Sequence, residues 1–384
     1  MLSTLKLLAL SATLLSIASA YAQTEESTSS STPVAHVYVT RPTHLDAFDV
    51  SSSGKLTAVP GSPFSGIDLF HLSVSGQYLI GESDDHAHII TYAIQSNGAV
   101  KEVASIDAQG LSPEGGGDCC DYPQKLDASG KTLYTIAYGA NYWIDNFKIE
   151  SSGELSFIGS PYYFGGGEEV GPGVLSVLGN NKFAYATSCN DDVPQYSNTI
   201  GFKRESSGLL QGLGNKLKFQ LPKPKSGDVY CADNLTADSS DHLAIAMGLW
   251  NVADSSPDGP LVLASYTADS EGNLTTKSTT ATMPQTNDDI SMSISPSGKL
   301  LAVDAGNGFQ VYHFNGADPI TKFTDVLHSS ERFIEFGWDS SNHLYALSTS
   351  ALHIYSATPT SIKEEAGSPI SIPEASSVIV QSLN

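Results

Sequence analysis

The sequence predicts an all-β protein: a seven-bladed β-propeller of four-stranded antiparallel blades. Three observations predict it. Short runs alternating apolar and polar residues are cut at intervals by Gly, Asn, Ser and Pro, the pattern of hairpin-linked strands. Two turn signatures recur along the chain, with four strands in about 40 residues, the size of one propeller blade. The first unit lacks a strand, and the C-terminus offers a spare one.

Residues 290–327 show the repeat most clearly. Residues 290–295 alternate, Pro296-Ser297-Gly298-Lys299 turns the chain, 300–304 form a second run, and Ala305-Gly306-Asn307-Gly308 turns it again. Residues 309–314 alternate once more, Asn315-Gly316 makes a third turn, and 320–327 complete the unit. The turn between first and second strands recurs at Ser75-Gly76, Ser129-Gly130, Gly179-Asn180, Ser240-Asp241 and Ser341-Asn342. The turn between third and fourth strands recurs at Ser53-Gly54, Asn97-Gly98, Ser152-Gly153, Ser207-Gly208 and Glu271-Gly272. A Gly-Ser-Pro echo marks the fourth strand at Gly61, Gly159 and Gly367. Gly and Asn accept the positive φ that such turns require.

These marks divide residues 34–384 into seven units of one domain. The first has only three strands, at 37–40, 44–50 and 56–64. The others span 69–108, 125–164, 174–219, 234–283, the 290–327 stretch and 333–372. Residues 377–383 form one more strand with no partner nearby. If that strand completes the first blade, the ring closes and no sheet edge is left open.

The N-terminus reads differently. Lys6, an apolar run over 7–17 and the small residues around Ala20 form a signal-peptide pattern over 1–22, followed by a polar, disordered leader over 23–33. The expected location is therefore secreted, either extracellular or periplasmic. No later stretch is long and apolar enough to span a membrane. With 41 acidic against 19 basic residues the chain carries a formal charge of −22, which disfavours nucleic acid and anionic membrane surfaces as partners. Asn234 and Asn273 begin glycosylation sequons.

In a propeller the loops after each second strand and the links between blades share one face around the central channel, where a ligand site is expected. The residues read onto that face are rich in carboxylates. They include Arg41 and His44, Asp68 and His71, Glu82 to His86, Asp118 to Asp121, Asn141, Glu168-Glu169, Cys189 to Asp192, Asp228 to Asp233, Trp250-Asn251, Asp288-Asp289, Asp304, and Glu331-Arg332. Such a face suits a divalent cation, or a small-molecule or carbohydrate-like ligand bound by a monomer. The densest candidate for a metal is Asp84, Asp85, His86 and His88, since two imidazoles and a carboxylate suit zinc or copper. Incidental pairing of the two histidines on an exposed strand is the bland alternative. The sequence has no G-x-S-x-G, H-E-x-x-H or P-loop.

Four cysteines in an exported chain point to disulfides. Cys189, after the second strand of unit four, and Cys231, in the link to unit five, are the preferred pair. That leaves Cys119 and Cys120 as a vicinal disulfide or two thiols; the rival is a bridge from that pair to Cys189.

Units such as VYVT…LDAFDVSSSGKLTAVPGSPF and SISPSGKLLAVDAGNGFQVYHF resemble the bacterial lactonase family of seven-bladed propellers, which contains 6-phosphogluconolactonase and the carboxymuconate cyclase. The resemblance covers residues 34–384. It implies a lactone-hydrolysing site, for which the family carries a Gly-Pro-Arg-His segment before a first strand. The comparable segments here read Gly171-Pro172-Gly173-Val174 and Tyr122-Pro123-Gln124-Lys125, without the Arg and His. The leading expectation is thus a secreted lactonase-like protein with a binding or scaffolding role. The alternative is an extracellular hydrolase of a lactone or sugar-derived ester. For that chemistry the loop positions nominate His71 or Glu82 as general base and Arg332 as the oxyanion-stabilising cation.

Overall fold

A computed structural model describes residues 32–111, 123–138, 142–160, 163–164, 173–189, 198–214, 217–224, 227–286 and 291–383. The expected signal peptide, nearly all of the leader, Cys119 and Cys120, and the loop carboxylates at 118–121, 168–169 and 288–289 lie outside the described residues. Residues 33–384 form one compact unit.

Seven antiparallel sheets follow one another as blades. Their innermost strands are Ser377–Ser382, Leu69–Ser75, Lys125–Leu126, Val174–Val177, Asp228–Ala237, Met292–Ile294 and Phe333–Trp338. The C-terminal strand does complete the first blade. It lies antiparallel to Ala35–Arg41, with Val37 opposite Val380 and Tyr38 opposite Ile379. His44–Val50 and Leu56–Ala58 then complete the sheet outward. In sequence 336 residues separate Thr40 from Ser376, yet their hydroxyls are 2.8 Å apart.

The core is not one mass but seven seams, each between consecutive blades. The seam of blades one and two packs Tyr38 and Leu45 against Leu69 and Leu79. The seam of blades seven and one packs Tyr345 and Ile354 against Val37 and Val378. Every strand alternates outward for one seam and inward for the next, which is why both faces of each blade are apolar. Closing the ring gives every blade a neighbour on each face, so no blade face is left exposed.

The recurrent turns clasp these seams. A tyrosine on the second strand of one blade donates its hydroxyl to the turn joining third and fourth strands of the next. Tyr38 reaches the Gly98 carbonyl at 2.9 Å, Tyr78 that of Ser151 at 2.7 Å, Tyr134 that of Gly208 at 2.7 Å and Tyr185 that of Gly272 at 2.8 Å. Desolvation in this position raises the Tyr134 phenol to about 12, although Arg204 beside it pulls the other way. The Gly-Ser-Pro echo also has a physical role. The Ser62 and Ser368 hydroxyls accept hydrogen bonds from the amides of Ala47 and Ile354, both on third strands.

Two expectations shift. Unit five begins earlier than residue 234: its first strand is Asp228–Ala237, with a bulge between Ala232 and Asn234. Tyr230 and Cys231 are buried there against blade four, so the strand extends to cover them. Cys231 is therefore in a strand, not a link, and it forms the expected disulfide with Cys189. Unit four ends sooner than residue 219. Its fourth strand is Leu210–Gly212, while Phe219 bridges to Leu274 of blade five and packs tilted against Tyr266, ring centroids 5.1 Å apart. No helix among the described residues is long and apolar enough to cross a membrane.

Candidate functional site

The innermost strands of all seven blades line a central cavity of about 500 Å³, within the size range of small-ligand sites. Charged and amide side chains enter it near the start of these strands, at the end where the inter-blade links arrive.

Glu335 lies on the innermost strand of blade seven, in the otherwise apolar run FIEFGW. Its Oε2 accepts the Ser377 hydroxyl at 2.7 Å and the Val378 amide at 2.6 Å, both on the closing strand of blade one. The carboxylate thus ties blade seven to blade one across the channel wall. Burial raises its proton affinity, opposed by those two hydrogen bonds and by the charges of Lys125 and His71. Lys125, on the short first strand of blade three, shows the mirror effect. Desolvation lowers its pKa, and Glu335 offsets part of that. Lys125 lines the cavity, and its ammonium makes no hydrogen bond or ion pair among the described residues. Gln124 beside it is 5 % exposed, and among the described residues neither atom of its amide finds a partner.

His71 sits at the channel end of blade two. A bulge between Phe70 and Ser73, with His71 at φ 48°, turns its ring out of the strand's regular alternation. Its Nδ1 lies 2.9 Å from Glu82 Oε2, and His86 Nδ1 lies 2.7 Å from the other oxygen of the same carboxylate. Glu82 is fully buried between the two imidazoles, and the His86 ring stacks on Phe70 at 5.9 Å. Because Nδ1 of His71 is engaged, Nε2 is the nitrogen available toward the channel.

The structure therefore brings His71 and Glu82 together, as nominated, and adds His86 to them. Arg332 is exposed just before the first strand of blade seven, and no hydrogen bond or ion pair among the described residues joins it to either. In the 84–88 turn, Asp85 accepts the Ser83 hydroxyl and the Ala87 amide and pairs with His88 at 3.0 Å. Those hydrogen bonds, led by Ser83, hold the Asp85 carboxyl below the usual range. Asp84 is exposed, and His86 turns away to Glu82. Among the described residues, the groups whose donor atoms converge as metal ligands would lie elsewhere. Asn234 and Asn273 of the two sequons are 8 % and 9 % exposed, so neither offers an acceptor on the folded surface.

Gln124, Lys125 and Glu335 lie outside the loop positions that the sequence nominates. Gln124-Lys125 falls in one of the two segments compared above with the family's Gly-Pro-Arg-His, and Glu335 is a carboxylate in an apolar innermost strand. Both were available signals: a charge on the strand that faces the channel.

No family model matches the chain, and no curated protein is similar to it in sequence. Solved structures do match its fold. A candidate 6-phosphogluconolactonase from Bacteroides uniformis superposes with a TM-score of 0.63 at 12% identity, over 90% of this chain and 99% of that one. The periplasmic gluconolactonase of Pseudomonas aeruginosa gives 0.59 at 12% identity, over 91% and 99%. A candidate 6-phosphogluconolactonase from Bacteroides fragilis gives 0.56 at 14% identity, over 91% and 98%. With the ring closed by its C-terminal strand and these matches along nearly its whole length, the chain has the fold of a lactonase-like seven-bladed β-propeller.

Proposed function

We propose that the chain is an exported propeller that binds a small polyhydroxylated carboxylate, or the lactone of one, in its central channel. The observation that carries this is Gln124. A buried amide with two donors and an acceptor unpaired costs stability unless something completes its hydrogen bonds. A hydroxyl-rich ligand does so. Lys125 supplies a partly desolvated cation for a carboxylate, and Glu335 and the channel serines offer acceptors for hydroxyls. Three of the similar folds belong to proteins whose names refer to sugar lactones, and the Cys189–Cys231 disulfide suits an oxidising compartment.

A second reading is favoured by one specific geometry. Glu82 holds His71 through Nδ1, so Nε2 is poised to take a proton from a water that attacks a lactone carbonyl. In that case Lys125, rather than Arg332, is the cation for the developing oxyanion. Hydrolysis of a panel of aldonolactones by the full-length protein, followed by acid release, tests it. Turnover reduced roughly 100-fold or more by His71→Asn supports hydrolysis. Lactone binding without turnover leaves the binding role alone. Absence of both overturns the proposal.

A further inference from the structure

A second cluster of titratable side chains lies away from the channel, where the link from blade six enters blade seven. His328 and Glu331 come from that link, His353 from the third strand of blade seven, and Glu364 from its fourth. His353 is essentially inaccessible. Its Nδ1 lies 2.9 Å from Glu364 Oε1 and its Nε2 lies 2.8 Å from Glu331 Oε2. The His328 ring centroid is 4.3 Å from that of His353, and His328 Nε2 lies 3.3 Å from Glu364 Oε2. Donor atoms of His328, Glu331 and His353 all fall within 4.8 Å of one another.

A neutral imidazole has one N–H. If Nδ1 of His353 donates to Glu364, Nε2 presents a lone pair to the Glu331 oxygen, and a cation must stand against both. A proton would satisfy that pair alone; a metal ion would in addition engage His328, whose donor atom lies within reach of the same point. Tyr355 supplies an independent sign. It is 4 % exposed, on the same face of the strand as His353, and among the described residues its hydroxyl has no hydrogen-bond partner. Glu331 and Glu364 are the charges that act on it. A water or hydroxide held by a metal would give that hydroxyl its missing partner.

We propose that His328, Glu331 and His353 bind one divalent transition-metal ion of the zinc class. Glu364 orients His353 from its far nitrogen, and Tyr355 faces the open coordination position. Two imidazoles and a carboxylate form a donor set for zinc, not calcium, which takes oxygen ligands. The carboxylate–imidazole–metal relay through Glu364 fixes the tautomer, and the Ser368 hydroxyl donates to the same Glu364 oxygen at 2.8 Å. His328, Glu331 and Glu364 are each about a third exposed, so the ion has access from solvent. The two glutamates also give the cluster a net negative charge that a divalent cation balances. The site would fasten the blade-six link onto blade seven.

The test is a titration of chelator-stripped, full-length protein with zinc, and with cobalt as a visible-absorption probe. The expected result is one ion per chain, cobalt d–d bands of low-coordinate intensity, and a melting temperature that rises with the metal. His328→Ala, at a part-exposed position, should abolish the bands. Glu364→Gln should weaken binding roughly 10- to 100-fold, and His88→Ala should change neither. Absence of binding in the unaltered protein, or equal binding in His328→Ala and Glu364→Gln, overturns the proposal. In that case a proton alone holds His353 between its carboxylates.

Discussion

Asp145 shows how much one buried group can bias the whole domain. It is fully buried on the third strand of blade three. One oxygen accepts the Ser160 hydroxyl and the other has no partner among the described residues. Desolvation pushes the carboxyl up to about 6, and the Ser160 bond offsets only part of this. The unfolded chain releases this proton near pH 3.9 or so. Between about pH 4 and 6 the folded state keeps a proton that the unfolded state has lost, so stability falls as pH rises through that window. A shift of about two units corresponds to about 3 kcal/mol. Asp145→Asn should therefore raise the unfolding free energy read from urea denaturation at pH 7 by up to that amount, with a higher midpoint. At pH 3.5 or so, where both forms are neutral, the gain should vanish. Equal urea midpoints at pH 7 would mean that Asp145 does not carry this cost. Asp339 has the opposite sign. Burial acts to raise its carboxyl, but the His343 and Tyr345 hydrogen bonds outweigh it and hold it low, so its contribution is lost as acid is added.

At the scale of elements, the third-to-fourth-strand turn does two jobs, and its glycine serves both. It turns the chain at positive φ and lets the turn close on the preceding blade. Gly153 sits at φ 90°, and a Cβ there would lie 2.8 Å from the Tyr78 ring. Gly66 sits at φ 79° with nothing within 4 Å. Gly66→Ala should cost only the backbone term, about 1–2 kcal/mol. Gly153→Ala should cost that and overpacking besides, about 1–3 kcal/mol more. Chemical denaturation of the two variants separates the terms, and equal losses would show that the turn does not clasp the seam. The turns were legible in the sequence because Gly and Asn announce positive φ. The tyrosine clasp was not, since each bond joins residues 60 or more apart that no local pattern links. The extended strand Asp228–Ala237 was missed for the same kind of reason: the disulfide and the blade-four seam that stabilise it are tertiary.

For the molecule as a whole, the complementary ends were the most informative signal. A missing strand and a spare one implied a ring, and the pairing of Ser377–Ser382 with Ala35–Arg41 realises it. The ring then decides where chemistry can occur. Loops were easy to read as carboxylate-rich, but a carboxylate's sequence position does not reveal its partner. Glu82 is sealed between two histidines, Asp304 is buried, and Asp85 is occupied by its own turn. The groups free to meet a ligand instead lie on the innermost strands, where closure brings seven distant segments around one axis. Glu335 joins the two themes, since the carboxylate facing Lys125 and His71 also holds the closing strand.

The central claim is that this channel is a ligand site built on Gln124 and Lys125. It is tested most directly by isothermal titration of the full-length protein with sugar acids and their lactones of differing chain length. Gln124→Leu and Lys125→Met are run beside the unaltered protein. One saturable site per chain is predicted for at least one of these compounds. It should be weakened roughly tenfold or more in either variant, as the loss of a buried or charge-assisted hydrogen bond requires. Binding of equal strength in all three proteins, or no binding in any, would contradict it.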